Sequence, residues 1–377
     1  MIKLRLPALL SLALLAGCAS WFAGKPAKEP TLLTEFKPSA QFTVTWKQQV
    51  GESRNSILQP VVAAGAVYAA NAKGEVFRFD RMSGRQVWRA DSGFSVTGGV
   101  GAGGGLVLVG GEKGDLAAFG EDGKLRWKIK VSSEVLSAPL VADGIVIVRT
   151  GDGRIAGLSV SDGARQWLYE RSTPALVVRS HAGVSMGRGV VYAGFAGGKL
   201  VAINLSSGVL VWEATVSLPR GNTELERISD ITSTPVLDDE QICAVSFQGR
   251  IACFDLAQGN LLWSRALSSD KGIILADKFL YATDAEGGVL ALDKSSGSVV
   301  WKNNKLAIRE TSMPLVNSKH VVVGDFEGYV HALSRDDGSF SARIKTDSGL
   351  IAAAPLALGD GMLVQTLSGG LYALTLH

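Results

Sequence analysis

Apolar residues in this chain come in short runs, and polar turns break them at nearly constant intervals. A typical stretch runs Val61-Val62, a turn at Ala64-Gly65, then Val67-Tyr68-Ala69-Ala70, then the alternating Glu75-Val76-Phe77-Arg78-Phe79-Asp80. The alternation has a period of two, which is the period of a strand with one face inward. Asp80 to Gly84, Asp255 to Gly259 and Asp293 to Gly297 share an Asp-x-x-x-Gly spacing. That is hairpin chemistry: Asp bonds the backbone of its own turn and Gly supplies a positive φ. A fourth run, carrying a Trp, follows each hairpin. No sustained helical periodicity interrupts the series, so the pattern predicts an all-β chain.

The runs repeat as a unit. Pro60, Gly74, Gly84 and Trp88 are matched at identical spacing by Pro139, Gly153, Gly163 and Trp167, and by Pro235, Gly249, Gly259 and Trp263. Pro314, Gly328 and Gly338 keep the spacing but reach Ala342 where Trp would stand, and Pro355 and Gly369 keep it to the end. Val100, Val184 and Ile273 take the Pro position in the remaining copies, followed by Gly114, Gly198 and Gly287. Eight units of about forty residues, each of four strands, have the size of propeller blades. A single blade cannot cover its own faces; a closed ring of blades can. The last unit stops after its third strand, at Leu371-Tyr372-Ala373-Leu374, while Trp46 lies on an extended run, Phe42 to Val50, ahead of the first unit. The expectation is an eight-bladed β-propeller over residues 41–377, closed by the N-terminal strand completing the last blade. The repeated Trp residues then fill the wedges between blades near the rim. Ala342 should leave one such contact thin, unless Phe340 on the same strand face fills it.

The start of the chain reads differently. Lys3 and Arg5 precede an apolar run, Leu6 to Ala16, that is too short to span a bilayer. It ends in Leu15-Ala16-Gly17-Cys18, which resembles the lipobox of bacterial lipoproteins, in which the Cys is lipidated. Residues 1–17 are read as a lipoprotein signal peptide and Cys18 as the lipidation site. Two or more acyl chains give firm membrane attachment. Ala19, not Asp, follows the Cys; by resemblance to Gram-negative sorting, that implies the outer membrane, on its periplasmic face. Residues 18–40, rich in Pro, Lys, Ala and Ser, read as a flexible tether with a coil span of roughly 25 Å.

Charge excludes one class of partner. Without Lys3 and Arg5 the chain holds 36 basic against 35 acidic residues, and no basic stripe appears, so no nucleic acid is expected. Cys243 and Cys253 flank a tight turn near Gln248, which allows either a disulfide or two packed thiols. His181, His320, His331 and His377 lack ligand spacing, so no metal site is expected. No helix follows the glycines between Gly98 and Gly105, so no phosphate cradle is expected either.

Unit length varies in one connection only, from the Trp position to the next Pro position. Most copies use 10 to 14 residues; Trp167 to Val184 uses 17 and Trp212 to Pro235 uses 23. The two long copies are successive and lie on one face of the ring, a common arrangement for a binding face. The first, residues 172–180, places Leu176, Val177 and Val178 beside Arg179; the second, 219–232, mixes charges of both signs with Leu225, Ile228 and Ile231. Apolar residues with a charged rim suit a protein interface. The alternative is that Leu176, Val178 and Ile228 fold back, leaving only Arg179 and Asp230 exposed.

The run Asn222-Thr223-Glu224-Leu225-Glu226-Arg227-Ile228-Ser229-Asp230, leading into Thr232-Ser233-Thr234-Pro235, and the turn Gly324-Asp325-Phe326-Glu327-Gly328-Tyr329 are similar to those of the BamB family. These are propeller lipoproteins of the outer-membrane β-barrel assembly (BAM) machinery. The resemblance covers leader, tether and repeats. It implies a scaffold with no catalytic residues and no cofactor, working with BamA, other BAM subunits and nascent outer-membrane β-barrel proteins. The family's contact with the POTRA domains of BamA maps to Leu176, Val178 and Arg179, and to Asp230 and Thr232, with Arg227 and Glu224 alongside. Thr232 stands where the family has a second acid. The repeat also resembles that of quinoprotein dehydrogenases, which bind pyrroloquinoline quinone and calcium. Those enzymes carry an adjacent Cys pair and a calcium cluster; this sequence has neither a Cys-Cys pair nor an Asp-x-Asp-x-Asp loop.

Overall fold

The computed structural model describes residues 29–377; the leader and Cys18 lie outside the described residues. Thirty-two strands form eight four-stranded antiparallel sheets arranged as the blades of a propeller. In the first blade, Val61–Ala63, Ala66–Ala70, Glu75–Asp80 and Gln86–Asp91 hydrogen-bond in chain order. First strands of neighbouring blades touch one another, so they line the axis and the fourth strands form the rim. The eighth blade is built from both ends of the chain. Leu356–Leu358, Gly361–Gln365 and Gly370–Leu376 are joined by Phe42–Gln49, with Phe42 opposite Leu376 and Gln49 opposite Gly370.

A one-residue bulge recurs between the third and fourth strands of every blade. Trp212 sits opposite Ala202, and the register then slips so that Ile203 faces Leu210; Trp46 and Val44 show the same slip against the last strand. Bulges re-aim side chains. In seven of the eight blades the bulge aims a Trp at the following blade. The indole N–H of Trp46, Trp88, Trp127, Trp167, Trp212, Trp263 and Trp301 donates to a hairpin carbonyl of the next blade, at 2.7–3.1 Å. The ring lies against the Gly of that hairpin. Gly259 (φ 73°) meets Trp212 and Gly297 (φ 70°) meets Trp263, and any Cβ would collide with the indole. Only Gly meets both demands, positive φ and close approach. The Gly–Trp repeat is therefore a contact between neighbouring blades, written at seven of the eight junctions.

Ala342 is the exception, and the topology explains it. The third and fourth strands of the eighth blade come from opposite chain ends, so no hairpin exists there to receive a Trp. Ala342 is buried against Phe42 and Ala40 instead, and the N–H groups of Ser39 and Ala40 both donate to the Ser341 carbonyl at 3.0 and 3.1 Å. Phe340 does not fill the gap. The bulge turns it to the opposite face, where it joins Trp301, Leu33 and Phe36 between blades six and seven.

Residues 31–40, expected as the end of a flexible tether, run instead along the outer edge of blade seven. The N–H and hydroxyl of Thr31 both donate to the Ala307 carbonyl, and Leu33 and Phe36 pack on the core. Pro, Lys, Ala and Ser set the composition of residues 18–40 as a whole, but Leu33 and Phe36 near its end dock the last ten residues. Cys243 and Cys253, for which the sequence allowed two states, are disulfide-bonded across adjacent strands, with Cα atoms 4.1 Å apart.

Candidate partner-binding face

Antiparallel order puts every second-to-third turn and every blade-to-blade connection on one face of the ring. The two long connections lie there side by side. The first spans 171–183, between Arg165–Glu170 and Val184–Gly187. The second spans 216–235, between Leu210–Thr215 and Val236–Leu237. They are tied by one carboxylate. Asp230 accepts the Val178 N–H at 2.8 Å through one oxygen and the Gly197 N–H at 3.0 Å through the other. Its own carbonyl accepts from Phe247 N–H at 2.8 Å, while Ile231 N–H donates to Phe195.

This arrangement corrects two expected contact residues. Asp230 is only 5% exposed, and Thr232 is likewise buried. Neither presents a side chain at the surface. Asp230 holds the first loop in place from within the second. A neutral Thr at 232 also avoids placing a second charge in a buried position. The fold-back alternative is corrected as well, since it left Asp230 exposed and Leu176 buried. Leu176 is 41% exposed, with Val177 beside it also exposed and Val178 half-buried.

The tip of the second loop is a self-capped turn. The Glu226 carboxylate accepts from the N–H groups of Asn222 (2.8 Å) and Thr223 (3.2 Å), and the Thr223 hydroxyl accepts from Glu226 N–H at 3.2 Å. This is the reciprocal pattern of a capping box. Those backbone N–H groups, Asn222 first, hold the Glu226 carboxyl below its ordinary range. Arg227 Nε donates to the Gly221 carbonyl at 3.1 Å. The turn leaves Glu224, Leu225 and Arg227 exposed, with Leu225 at 66%. A cleft of about 210 Å³ separates the loops, between Ala175 and Leu176 on one side and Pro219, Glu224 and Ile228 on the other.

Arg179 is half exposed and forms a fork to Glu134, with N–O distances of 2.9–3.3 Å; the bonds to Glu134 hold its pKa up. Glu134 lies on an ordinary-length connection, residues 131–139, so its spacing gave no signal. Leu218, also exposed at the edge of the second loop, was missed because it falls just outside the inserted residues. The matched turn 324–329 serves the fold: buried Asp325 accepts from Arg309 Nε at 2.8 Å and bonds His331 at 3.0 Å. Among the described residues no group of three His, Cys, Asp or Glu is placed to hold a metal ion.

An eight-bladed propeller whose irregular loops gather on one face, apolar at their tips and rimmed with charge, is built as a binding platform. The family profile described as outer membrane protein assembly factor BamB matches residues 72–303. A BamB of Nitrosomonas eutropha is 47% identical over 333 residues, covering 88% of this chain and 81% of that protein. A BamB of Pseudomonas aeruginosa is 39% identical over 382 residues, covering all of both chains. The crystal structure of BamB from Moraxella catarrhalis superposes with a TM-score of 0.82 at 27% identity, over 89% of this chain and 99% of that one. The chain belongs to the BamB family of outer membrane protein assembly factors. A quinohemoprotein alcohol dehydrogenase from Comamonas testosteroni superposes at 0.74 with 14% identity, over 88% of this chain and 76% of that one, a likeness of fold alone.

Proposed function

We propose that this chain is a non-enzymatic scaffold of the BAM complex, lipid-anchored through Cys18 on the periplasmic face of the outer membrane, and that it docks on the POTRA domains of BamA. The contact surface comprises Leu176, Val177, Arg179, Glu224, Leu225 and Arg227. Asp230 acts by position: it holds Val178, and with it the exposed tip of the first loop, against the fourth blade. Thr232 belongs to the buried floor. The reading rests on one observation above the others. Leu176 and Leu225 stand exposed on two loops that are clamped together, beside a cleft, with charged groups around them. Apolar anchors with a charged rim are what a polypeptide partner buries. Docking there would keep a propeller at the barrel-forming machinery and leave its other surfaces for further BAM subunits and nascent barrel proteins.

Capture of the purified lipoprotein by immobilised POTRA domains, repeated across a salt series, tests the reading. The rim charges steer encounter and are screened by salt, whereas the leucine anchors are not. Capture should weaken with salt without vanishing. No capture at any ionic strength would refute the docking surface.

A further inference from the structure

Several arginines on this protein pair with carboxylates. Arg154 pairs with Asp152 and Glu170, Arg171 with Glu213, Arg179 with Glu134, Arg309 with Asp325, and Arg335 with Asp277. Arg149 does not. It ends the second strand of blade three, Ile145–Arg149, on the same face as the loops. Its guanidinium lies 5.1 Å from the centre of the Phe195 ring, and Nη1 makes one long contact, 3.4 Å, to the Gly183 carbonyl.

Arg149 faces a second cavity of about 210 Å³ beneath the first insertion, walled also by Val177, Val178, Arg179 and Phe195. Two carboxylates line that cavity, and both are engaged elsewhere, Glu134 by Arg179 and Asp230 by two backbone N–H groups. Neither reaches ion-pairing range of Arg149. Burial pulls the Arg149 pKa down to about 10, with no anion opposing the shift.

A partly buried guanidinium without a counter-ion is an unfavourable resting state. Its planar fork is shaped for two parallel bonds to a carboxylate. The Phe195 ring packs against the group and restrains it, which spares a ligand part of the entropy of ordering it. We propose that this cavity receives a carboxylate: the acidic side chain of the polypeptide that docks on the insertions. The proposal rests on the docking reading above. A polypeptide source is favoured because Val177 and Val178 are shared between the cavity wall and the docking loop, so a chain lying on that loop passes the opening.

The test is Arg149→Met, which keeps an apolar stem over Phe195 and removes the fork. Binding of the purified full-length lipoprotein in detergent to POTRA domains is measured by calorimetry, together with thermal unfolding. Glutarate is the free-carboxylate probe. The expected result is about a tenfold loss of affinity for Arg149→Met with an unchanged or higher melting temperature, and no response of either protein to millimolar glutarate. Arg149→Lys, which keeps the charge but not the fork, should lose less, and it carries the test if the Met variant does not fold. Unchanged affinity in Arg149→Met, while Leu176→Ala/Arg179→Glu loses binding, overturns the carboxylate site and leaves the docking surface standing. Unchanged affinity in both overturns the docking reading itself. A glutarate-induced rise in melting temperature that Arg149→Met abolishes, with POTRA binding unaffected, assigns the cavity to a free acid and overturns the polypeptide source.

Discussion

Two places on the loop-bearing face pose the same physical problem and differ in what covers them. Between blades six and seven, residues 304–314 carry Leu306 and Arg309, and the protein's own N-terminal segment lies across them. Leu306 is fully buried. Arg309 is buried as well, donating to Asp325, Glu327 and the Thr31 carbonyl. Between blades three and five, the insertions carry the same kinds of residue, but no other part of the described chain covers them. Leu176, Leu218 and Leu225 stay exposed, and Arg179 is half in solvent. The comparison shows what a completed contact on this face looks like: apolar anchors covered and the buried Arg309 paired with carboxylates. The insertions are the uncompleted version. That contrast supports reading them as a surface awaiting another chain, since exposed apolar clusters with polar rims mark interaction sites.

The comparison can be broken at the covered side first, where the largest effect is expected. Asp325→Ala removes the acceptor shared by Arg309 and His331 and strands buried donors. The expected cost is about 3–5 kcal/mol in chemical denaturation, since removing one partner of a buried ion pair leaves a charge uncompensated. A loss below about 1 kcal/mol would show that the network is dispensable. The same region should be acid-sensitive. Burial, with Arg343 and Arg309 adding to it, holds His331 below its ordinary pKa against the opposing pull of Asp325. Burial pushes Asp325 up, but His331, the Tyr329 N–H and Arg309 together hold it below its ordinary value. Both folded-state values are depressed, so both contributions are present at neutral pH. That of His331 is lost as pH falls below about 6.5 and that of Asp325 as pH falls below about 4, because the unfolded chain then binds the proton first.

Phe36→Ala should cost about 2 kcal/mol, less than a fully buried Phe because the ring is only partly covered. It uncovers Phe340 and leaves the insertions untouched, so POTRA binding should not change. Asp230→Ala sharpens the other side. It should cost about 1–3 kcal/mol, the price of two buried N–H groups left without an acceptor. Its clearer signature is local: amide exchange at Val178 and Gly197 should quicken while the rest of blade four stays protected. Unchanged exchange there would mean that Asp230 is not the clamp.

How much of this was legible in the sequence depended on distance along the chain. The ring was, because each blade repeats the Gly and Trp spacing that joins it to its neighbour. The position of the two insertions was too, because they break that spacing. Asp230 was misread as a surface acid because charge beside Ile228 and Ile231 looks like a rim. Its burial is set by Gly197, on another blade's turn more than thirty residues away. Phe340 was placed on the wrong face because strand alternation does not announce a bulge. The docking of residues 31–40 was hidden by the Pro-, Lys-, Ala- and Ser-rich composition of the longer 18–40 segment, since Leu33 and Phe36 gain their partners from the cluster around Trp301 and Phe340, some three hundred residues on.

The most direct test of the uncovered surface is the affinity of purified POTRA domains for Leu176→Ala/Arg179→Glu, compared with Phe36→Ala. Loss of an apolar anchor together with reversal of a rim charge should weaken binding roughly a hundredfold, with melting shifted by only a degree or two. Phe36→Ala should melt several degrees lower and bind like the unaltered protein. Equal binding by both variants, or a collapse of melting in the double variant, would contradict the account.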